Sequence, residues 1–177
     1  MTSTPGKYLH RRILKINVGF LLSAGPGTGH KSEIAIPSAI KVADDLFIEE
    51  LEGTLRLTRT KEGVLLQGNL ATIYNNECSR CLDDVRQSIE LELEELYTHP
   101  ASVSAEFSIG GDAMLDLAPL LRAEVLLATE QSVLCKNDCP GLCPICGSNL
   151  NRENCDCDND FIDPRMAILK TLLEEQD

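Results

Sequence analysis

The chain has 177 residues, of which 28 are acidic and 16 are basic, so its formal net charge is -12. This length suits one domain, or one domain with a small metal-held appendage. The excess of acidic groups repels a phosphate backbone unless the basic residues are concentrated on one face, which argues against generic nucleic-acid binding and favours a protein partner.

The N-terminal segment contains a dense basic cluster beside apolar residues. The cluster consists of Lys7, His10, Arg11, Arg12 and Lys15. A charge run this short is more often the solvated face of a first strand or helix than a contact patch for RNA or an acidic partner, and both interpretations stay open. The apolar run of the segment is broken by Lys15 and Asn17, so it lacks the layout of a signal peptide. We therefore expect a cytoplasmic protein with reduced thiols and no membrane contact.

Residues 16–32 combine an apolar stretch with a glycine-rich loop, as in a phosphate-binding loop. That motif needs glycine immediately before its lysine, but His30 precedes Lys31. It also needs a helix after the loop, whereas the residues before Pro37 predict a short strand. The sequence therefore predicts a loop between two elements and no nucleotide site.

Residues 46–97 predict an antiparallel β-meander. Two strands over residues 53–60 and 64–74 are joined by a hairpin turn at residues 61–63. In a third strand, apolar and polar residues alternate, which indicates a sheet with one face on a core and one in water. The inward set is Val85, Ile89, Leu91 and Leu93, and an acidic row on the other face is Glu90, Glu92 and Glu94. This row is most simply the solvated face, and a basic partner is the alternative.

The polar residues 98–112 predict a flexible linker before a helix. The helix is expected from Leu117 to about Glu130, with Asp116 as its N-cap and Pro119 in its first turn. Its apolar stripe, which we expect to pack on the sheet, consists of Leu117, Leu120, Leu121, Leu127 and Ala128. A second helix is expected to begin at Asp163 near the C-terminus.

The eight cysteines carry the strongest functional signal in the sequence. Six of them lie between residues 135 and 157, among turn residues with few apolar neighbours, so the segment needs covalent or coordinate cross-links. The Cys-x2-Cys-Gly pattern of residues 143–147 favours a zinc knuckle over disulfides, because reduced, clustered thiols bind metal. The upstream pair, Cys78 and Cys81, lies between two predicted strands rather than at the start of a helix, which favours metal over a redox dithiol.

The cysteines divide into two sets of four, which predicts two zinc ions. The first choice groups Cys78, Cys81, Cys135 and Cys139 in one set and Cys143, Cys146, Cys155 and Cys157 in the other. The one-residue spacing of Cys155 and Cys157 strains a shared tetrahedral ion, so a split of these two between the centres stays open. The three histidines do not stand at ligand spacing, so all-thiolate sites are expected, with iron as the alternative metal.

Together these motifs resemble a known family. The similar segments are CSRCL at 78–82, DLAPLLRAEVLLA at 116–128, the cysteine pattern from 135 to 157, and DPR at 163–165. They are similar to those of the YceD family, the large ribosomal RNA subunit accumulation proteins. The resemblance implies a cytoplasmic, non-catalytic role in 23S rRNA accumulation and large-subunit biogenesis.

The fold class expected is α+β: an antiparallel β-meander packed on one long helix, with a zinc-knuckle C-terminal module that ends in a helix. The expected layout is a sheet domain over 1–97, a linker over 98–112, a helix over 113–134 and a cysteine-rich module over 135–177. As the resemblance implies, the expected partners are pre-ribosomal large-subunit components, either basic ribosomal proteins or pre-rRNA. RNA contact would be local, through residues such as Arg11, Arg12, Lys15, Arg80 or Lys136. The alternative is a thiol redox or zinc-delivery protein, whose cysteines would be labile and partly exposed.

Overall fold

The computed structural model describes residues 8–101, 105–129 and 132–157, which fall into two units. The first unit contains the chain up to Asn76 together with Asp84–Val133, and the second contains Glu77–Asp83 together with the segment that starts at Leu134. The sequence analysis placed residues 77–83 in the sheet domain. They belong instead with the cysteine-rich segment, because their two cysteines lie beside cysteines of that segment.

A six-stranded sheet forms the larger part of the first unit. Its strands are β1 (Leu9–His10), β3 (Gly29–Ile36), β4 (Ile40–Lys41), β5 (Phe47–Arg59), β6 (Gly63–Glu77) and β7 (Asp84–Thr98). The order is β1-β4-β5-β6-β7, and β3 also pairs with β5. Strand β5 is antiparallel to β3, β4 and β6, whereas β1 is parallel to β4. The predicted hairpin is confirmed as β5 and β6, and both strands are longer than expected.

Strand β7 has the alternation that its sequence predicts. Ile89, Leu91 and Leu93 are buried, while Glu90 and the other acidic residues of the row are exposed. This follows from the period of two in a strand, which places consecutive side chains on opposite faces. The sheet therefore has one face on the core and one in water.

The remaining elements of the first unit are short. A second sheet pairs β2 (Lys15–Asn17) with β8 (Met114–Asp116), and the helices are a 3-10 turn (Arg11–Leu14), α1 (Gly19–Leu22) and α2 (Ala118–Ala128). Lys31 and Ser32 lie within strand β3. The glycine-rich loop is thus followed by a strand, which is not the context of a phosphate-binding loop.

Helix α2 has 11 residues, so the prediction of one long helix is not confirmed. It packs against β7, and its residues Leu120, Leu121 and Val125 are buried in the hydrophobic core. Leu127 is 79% exposed, so its assignment to the buried stripe was wrong. The buried side of the helix ends at Val125, because the last three residues, Leu126, Leu127 and Ala128, are all exposed.

The N-terminal end of α2 also differs from the expectation. Leu117 is the N-cap residue, and Asp116 is the last residue of β8. The carboxylate of Asp116 still accepts a hydrogen bond from the backbone N–H of Ala118, at 3.0 Å. Asp116 therefore serves an amide of the first turn from one position before the cap.

The prediction of a flexible linker over 98–112 does not hold for its described part, 98–101 and 105–112. Phe107 and Ile109 are buried in the hydrophobic core. The ring of Phe107 packs on Tyr97 with 5.4 Å between ring centroids, and Ser108 forms a β-bridge with Thr98. These two apolar residues anchor the segment. Their burial could not be predicted, because the apolar pattern around them is too short to indicate an element.

No helix in the described ranges is long and apolar enough to cross a membrane. The predicted C-terminal helix that begins at Asp163 lies outside the described residues.

Candidate metal centres

Two sets of four cysteines lie in the second unit. The first cysteine set is Cys78, Cys81, Cys135 and Cys139, and the second cysteine set is Cys143, Cys146, Cys155 and Cys157. This is the division that the sequence analysis ranked first, and it brings Cys155 and Cys157 into one set. Within each set the Sγ atoms all lie within 4.8 Å of one another.

The sulfur spacing of the first set fits a tetrahedral ion. The Sγ atoms of Cys78 and Cys139 are 3.8 Å apart, and those of Cys81 and Cys135 are 3.5 Å apart. Four sulfurs at a zinc–sulfur distance of about 2.3 Å lie roughly 3.8 Å from one another. The first set therefore needs little rearrangement to bind one ion with all four thiolates.

The first Cys-x2-Cys pair stands in the loop between β6 and β7. The backbone N–H of Cys78 donates to the carbonyl of Asp83 at 2.8 Å, and the N–H of Leu82 donates to the carbonyl of Cys78 at 2.9 Å. Leu82 has a φ of 61°, which is in the left-handed region. The turn folds back on itself and directs both sulfurs to one side.

The second Cys-x2-Cys pair has the same turn. The N–H of Cys143 donates to the carbonyl of Ser148 at 2.8 Å, and the N–H of Gly147 donates to the carbonyl of Cys143 at 2.9 Å. Gly147 has a φ of 75°, a conformation that glycine adopts without a steric cost. The two turns are therefore equivalent, with Gly147 and Leu82 in the same left-handed position. The Cys-x2-Cys-Gly pattern in the sequence marks only the second of these turns.

Hydrogen-bond donors surround several sulfurs. The backbone N–H of Ile145 points at Cys143 Sγ at 3.4 Å, and the Asn151 side-chain amide donates to Cys139 Sγ at 3.2 Å. Such donors stabilise the thiolate, which is the form that binds metal. The sequence analysis used asparagines in this segment only as turn residues and missed this contact.

Ionisation in the first set is uneven. Burial raises the pKa of Cys81 above the ordinary thiol value. Burial acts in the same direction on Cys78, but hydrogen bonds from the backbone N–H groups of Cys81 and Arg80 outweigh it and lower the pKa of Cys78 to about 6. The Asn151 amide lowers the pKa of Cys139. A cation held by all four sulfurs would supply the positive charge that the remaining thiols need to ionise.

The second set is similar but more accessible. The hydroxyl and backbone N–H of Ser148 lower the pKa of Cys146 to about 6, whereas the hydrogen bond with Cys146 raises the pKa of Cys157 to about 12. Cys146 is exposed, while Cys155 and Cys157 are half-buried. In the first set, three of the four cysteines are buried and only Cys135 is exposed.

A polar network lies beside the first set. Asp83 Oδ2 is 3.3 Å from Cys81 Sγ and accepts a hydrogen bond from the Asn149 side-chain amide at 3.0 Å. The other carboxylate oxygen of Asp83 forms an ion pair with Arg152. Hydrogen bonding to Asn149 is the leading cause that lowers the pKa of Asp83, so this carboxyl stays ionised. The sequence analysis treated Asn149 only as a turn residue and gave no role to Asp83 or Arg152.

Arg80 holds the two cysteine-bearing segments of the first set together. Its guanidinium donates from Nη1 to the carbonyl of Cys139 at 2.9 Å, and its own carbonyl accepts from the N–H of Leu142 at 3.0 Å. Arg80 was among the residues expected to contact RNA. Its side chain is instead engaged within the second unit.

The basic residues of the N-terminal cluster lie in the first unit. His10, Arg11, Arg12 and Lys15 line an open cavity of about 730 Å³ together with Lys41. The cavity is also lined by Asp44 and Asp45, and the latter carboxylate pairs with Arg122. An exposed aromatic pair, Tyr8 and Phe47 with ring centroids 4.8 Å apart, borders it, because Lys41 Nζ lies 5.7 Å from the Phe47 centroid.

Comparison with known proteins assigns the chain to a family. The family model described as "Large ribosomal RNA subunit accumulation protein YceD" matches residues 66–173, a range that contains all eight cysteines. The chain belongs to this family. No solved structure matches it.

Curated relatives include proteins from mycobacteria, a plant and Bacillus subtilis. An uncharacterized protein of Mycobacterium tuberculosis is 37% identical over 129 residues, which is 70% of this chain and 62% of the relative. An uncharacterized protein of Mycobacterium leprae is 29% identical over 162 residues, 86% of this chain and 74% of the relative. The Arabidopsis thaliana protein named "Large ribosomal RNA subunit accumulation protein YCED homolog 1, chloroplastic" is 25% identical over 149 residues, 66% of this chain and 46% of the relative. The chain thus spans about three fifths of the length of the first of these relatives.

Proposed function

We propose that this protein supports the accumulation of 23S rRNA and the biogenesis of the large ribosomal subunit, as a non-enzymatic factor in the cytoplasm. Family membership supports the ribosomal part of the proposal, since both the family and the Arabidopsis relative are named for accumulation of large-subunit rRNA. The absence of catalysis is the simplest reading of closed, all-thiolate sites, because a catalytic zinc keeps one position open for water or substrate.

The cysteine sets are proposed to hold two zinc ions, one in each set. The carrying observation is that each set offers four sulfur atoms within 4.8 Å of one another. Four thiolates form a soft donor set that suits zinc, and iron is the alternative. When bound, the metal cross-links the turns of a segment whose apolar residues are too few to fold it by burial. The chain's own part is to orient the sulfurs through the two equivalent turns.

Metal content is a direct test of this part. Native mass spectrometry of the protein purified under reducing conditions should show two zinc ions per chain. The variant Cys78→Ser is expected to retain one ion with high affinity and to bind the other weakly. Visible absorption typical of iron–thiolate centres would show that the bound metal is iron and not zinc. Full-affinity binding of two ions by Cys78→Ser would contradict the division into these sets.

Two surfaces of the first unit suit ribosomal partners. The cavity is lined by Arg11, Arg12, Lys15 and Lys41 and also by Asp44 and Asp45, and Lys41 forms an ion pair with Asp44. Its cations lie near the exposed rings of Tyr8 and Phe47, and single-stranded RNA sites combine cations with aromatic stacking surfaces in this way. The acidic row of β7, with Glu90 exposed on the outer sheet face, would complement a basic ribosomal protein. We propose the first surface for pre-rRNA and the second for a protein that accompanies it.

The role itself is tested by depletion of the protein from its own host. We expect a selective fall in 23S rRNA relative to 16S rRNA, with fewer large subunits in sucrose gradients. Re-expression of the intact protein should restore the ratio, whereas a variant with all eight cysteines changed to serine should not. An unchanged ratio under efficient depletion would contradict the proposed role.

Zinc delivery is a second candidate, favoured by the accessibility of the second set. Cys146 is exposed, and Cys155 and Cys157 are half-buried, which would allow another thiol to attack the ion. The observation that separates the candidates is transfer: a delivery protein passes its zinc to a metal-free acceptor faster than free zinc is released. A structural site retains it.

A further inference from the structure

The loop between two ligands of the second cysteine set also contacts the first set. This loop, residues 147–154, places the Asn151 amide 3.2 Å from Cys139 Sγ, and the Asn149 amide 3.4 Å from the carbonyl oxygen of Cys81. An ion in the second set fixes both ends of the loop, because the flanking residues are its ligands. Ordering the loop therefore also orders donors on two ligands of the first set.

Asp83 marks the difference between the two equivalent turns. At the matching position the second turn has Ser148, whose hydroxyl lies 3.3 Å from Cys146 Sγ. Asp83 instead places a carboxylate oxygen 3.3 Å from Cys81 Sγ. A hydroxyl can donate a hydrogen bond to a sulfur atom, whereas a carboxylate can only accept one and places a further negative charge beside the sulfur atoms. The first set thus contains a carboxylate whose charge needs a partner when the four sulfurs are held together.

Residues of the same loop compensate the Asp83 charge. Asn149 donates to one carboxylate oxygen at 3.0 Å, and Arg152 forms an ion pair with the other. The Asp83 side chain is 25% exposed with the loop in place. If the loop lost this arrangement, Asp83 would face Cys81 without these two partners.

We propose that Asp83, Asn149 and Arg152 couple the two cysteine sets, so that a thiophilic divalent cation in the second set raises the affinity of the first set for another. This inference rests on the proposed metal binding at both sets. Coupling between binding equilibria is reciprocal, so a cation in the first set raises the affinity of the second by the same factor. Because the contacts involve one ion pair and several hydrogen bonds, we expect a factor of about ten.

A Co²⁺ titration of the reduced, metal-free full chain tests the coupling. Thiolate-to-metal charge transfer and the absorption of tetrahedral Co²⁺ report occupancy of four-sulfur sites. Disabling the second set with Cys143→Ser and Cys146→Ser is expected to lower the affinity of the first set by about tenfold. In a chain that carries Asn149→Ala and Arg152→Ala, the same disabling should have a markedly smaller effect because, of the contacts described above between the loop and the first set, only that of Asn151 with Cys139 Sγ remains.

Two further variants separate charge compensation from general damage. Asp83→Ser copies the second turn, and we expect it to tolerate Arg152→Ala with no loss of affinity at the first set. Arg152→Lys keeps the positive charge and should retain most of the coupling. The reverse titration, with Cys78→Ser and Cys81→Ser, must lower the affinity of the second set by the same factor, and it decides the question if the first pair of variants fails to fold.

Equal affinity of the first set with and without an intact second set would overturn the coupling. A tenfold drop that persists in the Asn149→Ala and Arg152→Ala chain would overturn its assignment to these residues. If the unaltered chain takes up no Co²⁺, the proposed metal binding itself is wrong, which is a different failure from independent binding of two ions.

Discussion

Cys78 and Cys139 are separated by 61 positions in the sequence, yet their Sγ atoms lie 3.8 Å apart. The loop that connects β6 and β7 supplies the sulfurs of Cys78 and Cys81, and Cys135 and Cys139 complete the site. A cross-link over this sequence distance restricts the unfolded chain far more than one within a single knuckle. The first set is therefore expected to contribute more to folding stability than the second set, although each set has four ligands.

The left-handed residue in the first turn predicts a stabilising substitution. Leu82 has a φ of 61° and is 60% exposed, so it bears a steric cost with little burial in return. Left-handed backbone costs a non-glycine residue about 1–2 kcal/mol, and the greater freedom of glycine in the unfolded chain offsets part of it. We expect Leu82→Gly to stabilise the zinc-bound second unit by about 0.5–1 kcal/mol, measured by zinc competition.

Leu82→Ala is the matched control for this substitution. It removes the same exposed side chain but keeps the unfavourable φ, so no gain in zinc affinity is expected. If Leu82→Gly binds zinc no more tightly than Leu82→Ala, relief of the left-handed backbone strain does not raise zinc affinity, and the backbone argument is wrong.

The unequal burial of the two sets predicts two phases of zinc loss. In the first set only Cys135 is exposed and the other three cysteines are at most 3% exposed, whereas in the second set Cys146 is exposed and both Cys155 and Cys157 are half-buried. A chelator reaches an exposed ligand first, so the second set should lose its ion several-fold faster than the first. Release is followed by the absorbance of a zinc-binding dye under excess chelator.

Assignment of the phases requires one variant from each set. Cys146→Ser should remove the fast phase, and Cys81→Ser should remove the slow one. A fast phase that disappears with Cys81→Ser would reverse the predicted order. Rapid release from both sets would favour zinc delivery over a structural role.

Local pattern was sufficient for parts of the fold. Strand β7 could be predicted because Ile89, Leu91 and Leu93 alternate with exposed acids, and a period of two over a long strand has no competing interpretation. Spacing likewise indicated the cysteine pairs. The pairing of β2 with β8 could not be foreseen, since each strand has three residues and a pattern this short has no measurable period.

Contacts between distant residues were also beyond the sequence. Asp83 and Arg152 are 69 positions apart, and nothing local marks either residue as a partner of the other. Phe107 and Ile109 enter the core from a polar stretch that composition alone assigns to a linker. In both cases the tertiary arrangement decides which side chains pair or become buried, and local propensity does not predict this.

The close approach of β6 to β7 predicts a sharp requirement for glycine. A Cβ atom on Gly63 would lie 1.9 Å from the carbonyl oxygen of Tyr97, which is backbone and cannot move alone. We expect Gly63→Ala to lower the free energy of unfolding by about 3 kcal/mol, measured by chemical denaturation with far-ultraviolet circular dichroism. Gly111→Ala is the control, because no atom lies within 4 Å of its added Cβ, and its effect should stay within about 0.5 kcal/mol. Equal midpoints for the two variants would contradict the steric argument.

The cation-lined cavity predicts a local effect on RNA binding. Arg12 lines this cavity and is exposed, and among the described residues no carboxylate forms a salt bridge with it. In a chain with a net charge of -12, each cation that contacts phosphate counts heavily, because the rest of the surface repels RNA. We expect Arg12→Glu to weaken binding of a single-stranded 23S rRNA fragment by about tenfold at low salt, and to reduce the slope of log affinity against log salt by about one.

Lys61→Glu provides the matched control for Arg12→Glu. It makes the same change in net charge at the exposed turn between β5 and β6, and Lys61 is not among the residues that line the cavity. Fluorescence anisotropy over a series of salt concentrations should show that Lys61→Glu shifts RNA affinity only slightly, since screening limits the reach of a distant surface charge to about 10 Å at 0.1 M salt. Equal losses in both variants would mean that net charge alone governs binding. Unchanged binding in both would remove RNA as the ligand of the cavity and leave the acidic face of the sheet as the surface to examine with basic ribosomal proteins.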